Sequence, residues 1–342
     1  MGPVRVEMGP VPVEMGPASA SGCHTGPVLH LRLRIPSELR ETVVAMLVDD
    51  STVTNVAVVA DGYRKPEGCL VLADVARENA NSVVQKLRKL DLHHAGSITL
   101  ASVETVLSDE ADRVEGVAPG LPVDAVVWEL VESRVRVDSK LSWAFLSFLT
   151  LATLIAGVGR LLDQPILIIG AMVVGPEFSP VAAICLALAR PRLSLLPSAT
   201  GTLLAGFGIA ISVATPLWWV AYQAGLFTRV DAATGELTAF IIQPDWWSFA
   251  IALLAGVAGT LALTTAKSGP LVGVFISVTT VPAIGTLALV LGTGIWSEVA
   301  GALTQLGINL LGLILAGTAT LLAQRFVWSR VRVPHGVDPV TR

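Results

Sequence analysis

The chain of 342 residues is 53% hydrophobic and only 15% charged, with a mean hydropathy of +0.68. Ordinary chains carry about 25% charged residues, so this balance is that of a membrane protein. A net charge of −4, with no basic cluster interleaved with aromatics, excludes a nucleic-acid partner.

The charge deficit is confined to one half. Residues 28–140 have an ordinary soluble mix, whereas 141–324 hold only eleven Asp, Glu, Lys or Arg. The sequence therefore predicts a disordered tail (1–27), a cytoplasmic domain (28–103), a linker with an amphipathic helix (104–140), a transmembrane domain (141–326) and a cytoplasmic C-terminal tail (327–342). The first tail repeats Met-Gly-Pro at Met1, Met8 and Met15, a Pro- and Gly-rich pattern that cannot bury a core. It lacks the apolar run of a cleavable signal peptide. Cys23, Cys69 and Cys185 are too scattered for a disulfide framework or a zinc site. Cys23-His24 and His93-His94 are read as surface or turn residues rather than ligands, so neither a metal nor a cofactor is expected.

Within 28–103, Leu29, Leu31, Leu33 and Ile35 alternate with His30, Arg32 and Arg34, which predicts a half-buried strand. Pro36-Ser37-Glu38 opens a helix with Leu39, Val43, Met46 and Leu47 on one face. Val53–Ala60 reads as a second strand, 61–68 as a turn and Cys69–Val75 as a third strand. A helix from Arg77 to Leu90 and a strand from Gly96 to Val103 complete the set. The order βαββαβ is that of a ferredoxin-like α+β unit, which serves regulation or assembly but fixes no function by itself. Residues 104–120 read as an acidic linker, and Val123–Val137 as an amphipathic helix leading to the membrane.

Six apolar stretches follow, at roughly 141–160, 164–189, 193–222, 246–267, 270–292 and 297–325, each near the about 20 residues a bilayer requires. They predict an all-α bundle of six transmembrane helices. With both termini cytoplasmic, the inner face collects Arg134, Arg136, Lys140, Arg190, Arg192, Lys267, Arg325, Arg330 and Arg332. The outer face keeps Arg160 and Arg229, which is the positive-inside pattern of a multi-pass cell-membrane protein. Trp218, Trp219, Trp246, Trp247 and Trp296 fall at the predicted outer boundary, and Trp143 and Trp328 at the inner one, as interfacial aromatic belts do.

An odd number of spans per half makes a three-plus-three arrangement an inverted repeat. Spans one and four share Ala-Gly-Val, at Ala156–Val158 followed directly by Gly159 and at Ala255–Val257 followed by Ala258-Gly259. Spans two and five are each interrupted by proline, at Pro176 and Pro180 and at Pro282. Paired broken helices in corresponding halves point to a transporter's midplane site. Glu177 sits at the centre of span two, where a carboxylate costs several kcal/mol unless it is protonated, paired or facing water. The candidate ion or substrate path is therefore Gly175, Pro176, Glu177, Ser179, Pro180, Thr279, Thr280, Pro282 and Asn309. For the polar groups, hydrogen bonding between helices is the plainer alternative.

Leu151-Ala152-Thr153-Leu154-Ile155-Ala156, Ile169-Gly170-Ala171-Met172 with Pro176 and Pro180, Gly256–Thr264, Val281-Pro282 and Asn309 together resemble the bacterial and archaeal family called domain of unknown function 389, over about residues 141–322. The resemblance implies an integral membrane protein, often preceded by a ferredoxin-like part, and supplies no substrate. The family pattern is apolar where this chain has Glu177, so the resemblance places the shared feature at the proline break.

No catalytic triad, phosphate loop or metalloprotease pattern is present and no His lies in a span, so no enzyme activity is expected. Two readings compete: a transporter or channel for an ion or small solute, and a membrane-anchored sensor or scaffold whose soluble domain binds a ligand or partner. Small residues along spans three, five and six predict close packing and a homo-oligomer in the bilayer.

Overall fold

The computed structural model describes residues 28–330, apart from 104–105, 107, 119–124, 191–192, 234, 236, 243–244 and 266–279. Four strands, β1 (Val28–Ile35), β2 (Val53–Arg64), β3 (Glu67–Ala76) and β4 (Ser97–Ser102), form one antiparallel sheet in the order β2-β3-β1-β4. The alternation in β1 is decisive: Leu29, Leu31, Leu33 and Ile35 are buried while Arg32 is exposed. Each such side chain contributes about 1.5–3 kcal/mol on leaving water. Helices α1 (Arg40–Val48) and α2 (Ala80–Lys89) close this core with Val43, Leu47, Val83 and Leu87.

Three expectations change. The β2–β3 hairpin runs through most of the predicted turn, because Tyr63 pairs with Gly68 and Arg64 with Glu67 across it. A one-turn helix, α3 (Leu92–Ala95), precedes β4. The predicted linker contains a helix, α4 (Asp109–Val117). Its acidic first turn, Asp109, Glu110 and Asp112, complements the helix N-terminus, and Val114 packs on Ala76. Local charge had suggested a solvated segment; two buried contacts made it an element.

The amphipathic helix α5 (Trp128–Asp138) starts later than predicted and joins two cores. Val127, just ahead of it, and Leu130 pack with the sheet domain. Val126, Trp128, Val131 and Val135 pack with the apolar helices instead. Arg190 lies over the Trp128 ring at 5.1 Å, a cation–π contact at this junction.

The apolar half contains α6 (Trp143–Leu161), α7 (Pro165–Val174), α8 (Phe178–Ala189), α9 (Leu196–Gln223), α10 (Arg229–Ala233), α11 (Trp246–Thr264), α12 (Val281–Thr293) and α13 (Trp296–Arg330). Among the described residues, α6, α9, α11 and α13 are long and apolar enough to cross a membrane, and α7 with α8 makes a fifth span if the bent pair counts as one. The first part of predicted span five lies outside the described residues, and α12 is a shorter apolar helix. With 35 residues, α13 is about 52 Å long and extends beyond a bilayer's hydrocarbon core.

Two ends of the bundle are distinct. Arg190, Arg325 and the sheet domain lie at one, where Arg325 donates to the Ala189 carbonyl at 3.0 Å. The segment 228–242 folds over the other, with Ala232 and Ile241 buried. Trp143, Trp219, Trp246, Trp247 and Trp296 are all exposed on the helices' rims. Trp218 departs from the predicted belt. It is 8% exposed and meets Phe227 edge-on, because it sits on the face of α9 turned toward α6 and α12.

Candidate functional site at the broken helices

Proline places the break. Pro176 has no amide hydrogen, and the residue before a proline is driven out of the helical region. Gly175 accordingly sits at φ −68°, ψ 128°, ending α7 at Val174, and α8 restarts at Phe178 with its axis bent by 59°. Pro180 is tolerated because it lies in the first turn of α8; Pro282 occupies the same kind of position in α12.

The two restarts meet. Glu177 immediately precedes α8 and is 1% exposed; Thr280 immediately precedes α12 and is fully buried. The Thr280 hydroxyl donates to Glu177 Oε1 at 2.9 Å. A Cβ added at Gly175 would lie 2.7 Å from Val281 Cγ2 and would also strike the Glu177 carboxylate, so glycine is what lets α7 end against α12. Both helices direct their N-terminal amides toward this level, an electrostatic setting that favours negative charge.

The remaining predicted residues fall around this contact in different ways. Ser179 is half-buried and Pro180 and Pro282 are buried in the first turns of their helices. Asn309 is fully buried on α13, where its side-chain oxygen accepts from Gln305 Nε2 at 3.3 Å. Thr279 lies outside the described residues. A buried carboxylate, a hydroxyl and the starts of two helices form a polar level inside an otherwise apolar bundle.

A second polar knot, unread in the sequence, closes the opposite end from the sheet domain. Arg160, 1% exposed, donates to the carbonyls of Ala233 at 3.1 Å and Gly235 at 3.3 Å and to the Thr238 hydroxyl at 2.8 Å. Glu298 Oε2 lies 3.7 Å from its guanidinium. Asp163 accepts from the Thr238 hydroxyl at 2.8 Å and from the amides of Leu237 and Thr238. Partial desolvation opposes ionisation of Asp163, but the Thr238 hydroxyl, these amides and the Arg160 charge hold its carboxyl below the ordinary range. The available signal was three charges near span ends at one predicted depth: Arg160 and Asp163 after span one, Glu298 before span six.

His93 and His94, read as turn residues, have Asp91 beside them, with one ligand atom of each of the three within 4.8 Å of the others. All three are exposed on the short turn that carries α3.

With this geometry in view, comparison with known proteins places the helix break at the start of the matched region. The family model described as Domain of unknown function (DUF389) matches residues 172–315. The matched stretch is narrower than the resemblance drawn from the sequence, leaving Leu151–Ala156 outside it. An uncharacterized protein of Methanocaldococcus jannaschii is 28% identical over 170 residues, which cover 49% of this chain and 50% of that protein. The match thus spans about half the length of that relative. No solved structure matches the chain. From Met172 at the end of α7 to Leu315 in α13, the chain resembles the domain of unknown function 389; its long apolar helices are those of a membrane protein, and the matched stretch opens at the broken helix pair.

Proposed function

We propose that the membrane domain is a transporter or channel for an ion or small solute, with its site at the two helix breaks. The observation that carries this reading is the buried hydrogen bond from Thr280 to Glu177, which joins the starts of α8 and α12. A pure anchor has no need of a carboxylate at that depth, where burial costs several kcal/mol. Discontinuous helices in corresponding halves are where secondary transporters hold their cargo.

The packing supports a three-plus-three inverted repeat. α6 packs on α9 as α11 packs on α13; α8 touches both α9 and α13, and so does α12. The reading therefore has six crossings, with spans two and five broken, in the cell membrane and with both termini cytoplasmic. In a Cys23→Ala background, whose Cys69 and Cys185 are buried, Leu237→Cys should label from outside and Ser194→Cys from inside only. Both positions are exposed, at opposite ends of the bundle, and the reverse labelling pattern would overturn the orientation.

The sheet order β2-β3-β1-β4, with helices after β1 and β3, supports a ferredoxin-like regulatory or assembly unit. The chain is read as non-enzymatic. A homo-oligomer is part of the proposal, because Gly201, Gly208 and Ser212 leave an exposed small-residue face on α9. Light scattering of the detergent-solubilised protein at the mass of one 35.7 kDa chain would remove that element.

A second reading, a membrane-anchored sensor or scaffold, is favoured by α5, whose two faces tie the sheet domain to the bundle. Flux into proteoliposomes under a panel of cations and anions separates the two. Uptake or current in any condition supports transport; silence throughout leaves the sensor.

A further inference from the structure

Where α5, the sheet domain and the end of α11 meet, they enclose a cavity of about 460 Å³. Small-molecule sites span about 300–1,000 Å³, so the space suits a compact ligand. Its walls mix apolar surface from Leu130 with the hydroxyl-bearing residues Ser102 and Ser133, and with Thr264, whose hydroxyl is already committed to the Thr260 carbonyl at 2.9 Å. Thr264 ends α11, which sets the cavity where the bundle gives way to the sheet domain.

Two arginines, Arg77 and Arg134, line this space. Arg77 is 8% exposed, and its Nε donates to the Ala125 carbonyl at 3.2 Å, which fixes the head in place. Arg134 is exposed on α5 and carries the second positive charge. Among the described residues neither arginine forms an ion pair, and Asp138, the acid in the lining, pairs with neither. Burial and the Arg134 charge both work against the charged form of Arg77, and Glu78 offsets them only in part. Glu78 itself is pushed up to about 7, by burial and by the Glu115 charge, so it is half neutralised near neutral pH.

A cavity lined by two arginines outside any ion pair, with Ser102 and Ser133 beside them, suits a compact, doubly acidic anion. A phosphate monoester carries a charge of about −1.5 to −2 at neutral pH and presents three acceptor oxygens. Arginine's planar fork matches such oxygens in pairs, which an ammonium cannot do. We propose that this cleft binds a phosphate group through Arg77 and Arg134, the phosphate being borne by an acidic phospholipid headgroup or by a soluble phosphorylated metabolite. Occupancy would draw the sheet domain and α5 onto the end of α11, and so report ligand to the bundle. The proposal is independent of what, if anything, crosses the membrane.

The test uses the full chain in phosphatidylcholine nanodiscs. One arm dopes the discs with phosphatidic acid, whose headgroup is a phosphate monoester; the other titrates inorganic phosphate and adenosine monophosphate. The thermal midpoint is followed for wild type, Arg134→Gln, Arg77→Lys and Arg64→Gln. At least one arm should raise the wild-type midpoint, and Arg134→Gln should weaken the response about tenfold, a difference of about 1.4 kcal/mol. Arg134 is exposed, so its variant should fold. Arg77→Lys keeps the charge but not the fork and should also respond weakly. Arg64→Gln, exposed at the end of β2, should respond as wild type does. A response to the lipid alone assigns the headgroup, one to the soluble phosphates alone assigns the metabolite, and one to both assigns the phosphate itself. No response in any arm, or an Arg134→Gln response equal to wild type, overturns the proposal.

Discussion

Glu177→Gln in proteoliposomes is expected to lose flux by about tenfold to a hundredfold while the protein stays folded. A hydrogen bond to a charged group contributes about 1.5–3 kcal/mol, and removing the charge takes that difference from any cation bound there. Glutamine keeps the size of the side chain and still accepts from Thr280, so the bond at the break is retained and the protein should stay folded. Glu177→Leu behaves differently, because Thr280, fully buried, loses the acceptor it reaches at 2.9 Å. Leaving that hydroxyl unpaired costs about 1–3 kcal/mol. At roughly 2–4 °C per kcal/mol for a domain of this size, the thermal midpoint should fall by several degrees. Flux is read with the cation and anion panel, and the midpoint in detergent. A Glu177→Gln variant with wild-type flux would take the carboxylate out of the mechanism. The proline breaks would then be left as the candidate site.

The break itself was legible because proline acts through covalent structure. A missing amide hydrogen and a restricted preceding residue disfavour a continuous helix at Gly175-Pro176, although the surroundings still decide, since Pro216 is accommodated inside α9. The partner across the break was harder to read, since Glu177 and Thr280 are 103 residues apart and only tertiary packing brings them together. The same division runs through the fold. The alternation from Leu29 to Ile35 fixed the face of β1 because a two-residue period admits one buried side. The helix at Asp109–Val117 was missed, since its few buried contacts, Ala111 and Val114, are too sparse to give a periodic signal. Trp218 lies near the end of α9 but faces inward rather than out. Depth is set by position along the span, whereas direction depends on which face the neighbouring helices cover. Charged residues near span ends were read for topology alone, and Arg160 was therefore counted as an outer arginine rather than seen as a buried one.

That arginine carries the second large expectation. Arg160→Met should destabilise the protein by about 3–5 kcal/mol, the usual consequence of removing one partner from a buried ionic network. The guanidinium holds three acceptors in the segment 233–238 and faces Glu298 at 3.7 Å, so its loss frees the segment and strands a carboxylate together. Hydrogen exchange should therefore accelerate in 233–238 before it does in α6 or α13. Arg160→Lys should recover only part of the loss, because one compact ammonium cannot reach acceptors spread over Ala233, Gly235 and Thr238. Arg160→Met combined with Glu298→Gln should cost less than the sum of the two single changes, since the stranded charge is then absent. The decisive comparison is between this segment and the helix break. Arg160 donates to the fold at the end of the bundle away from the sheet domain, so its variants should change stability and exchange first. Equal stability of Arg160→Met and wild type would mean that Asp163, through its bonds to Leu237 and Thr238, holds the segment unaided.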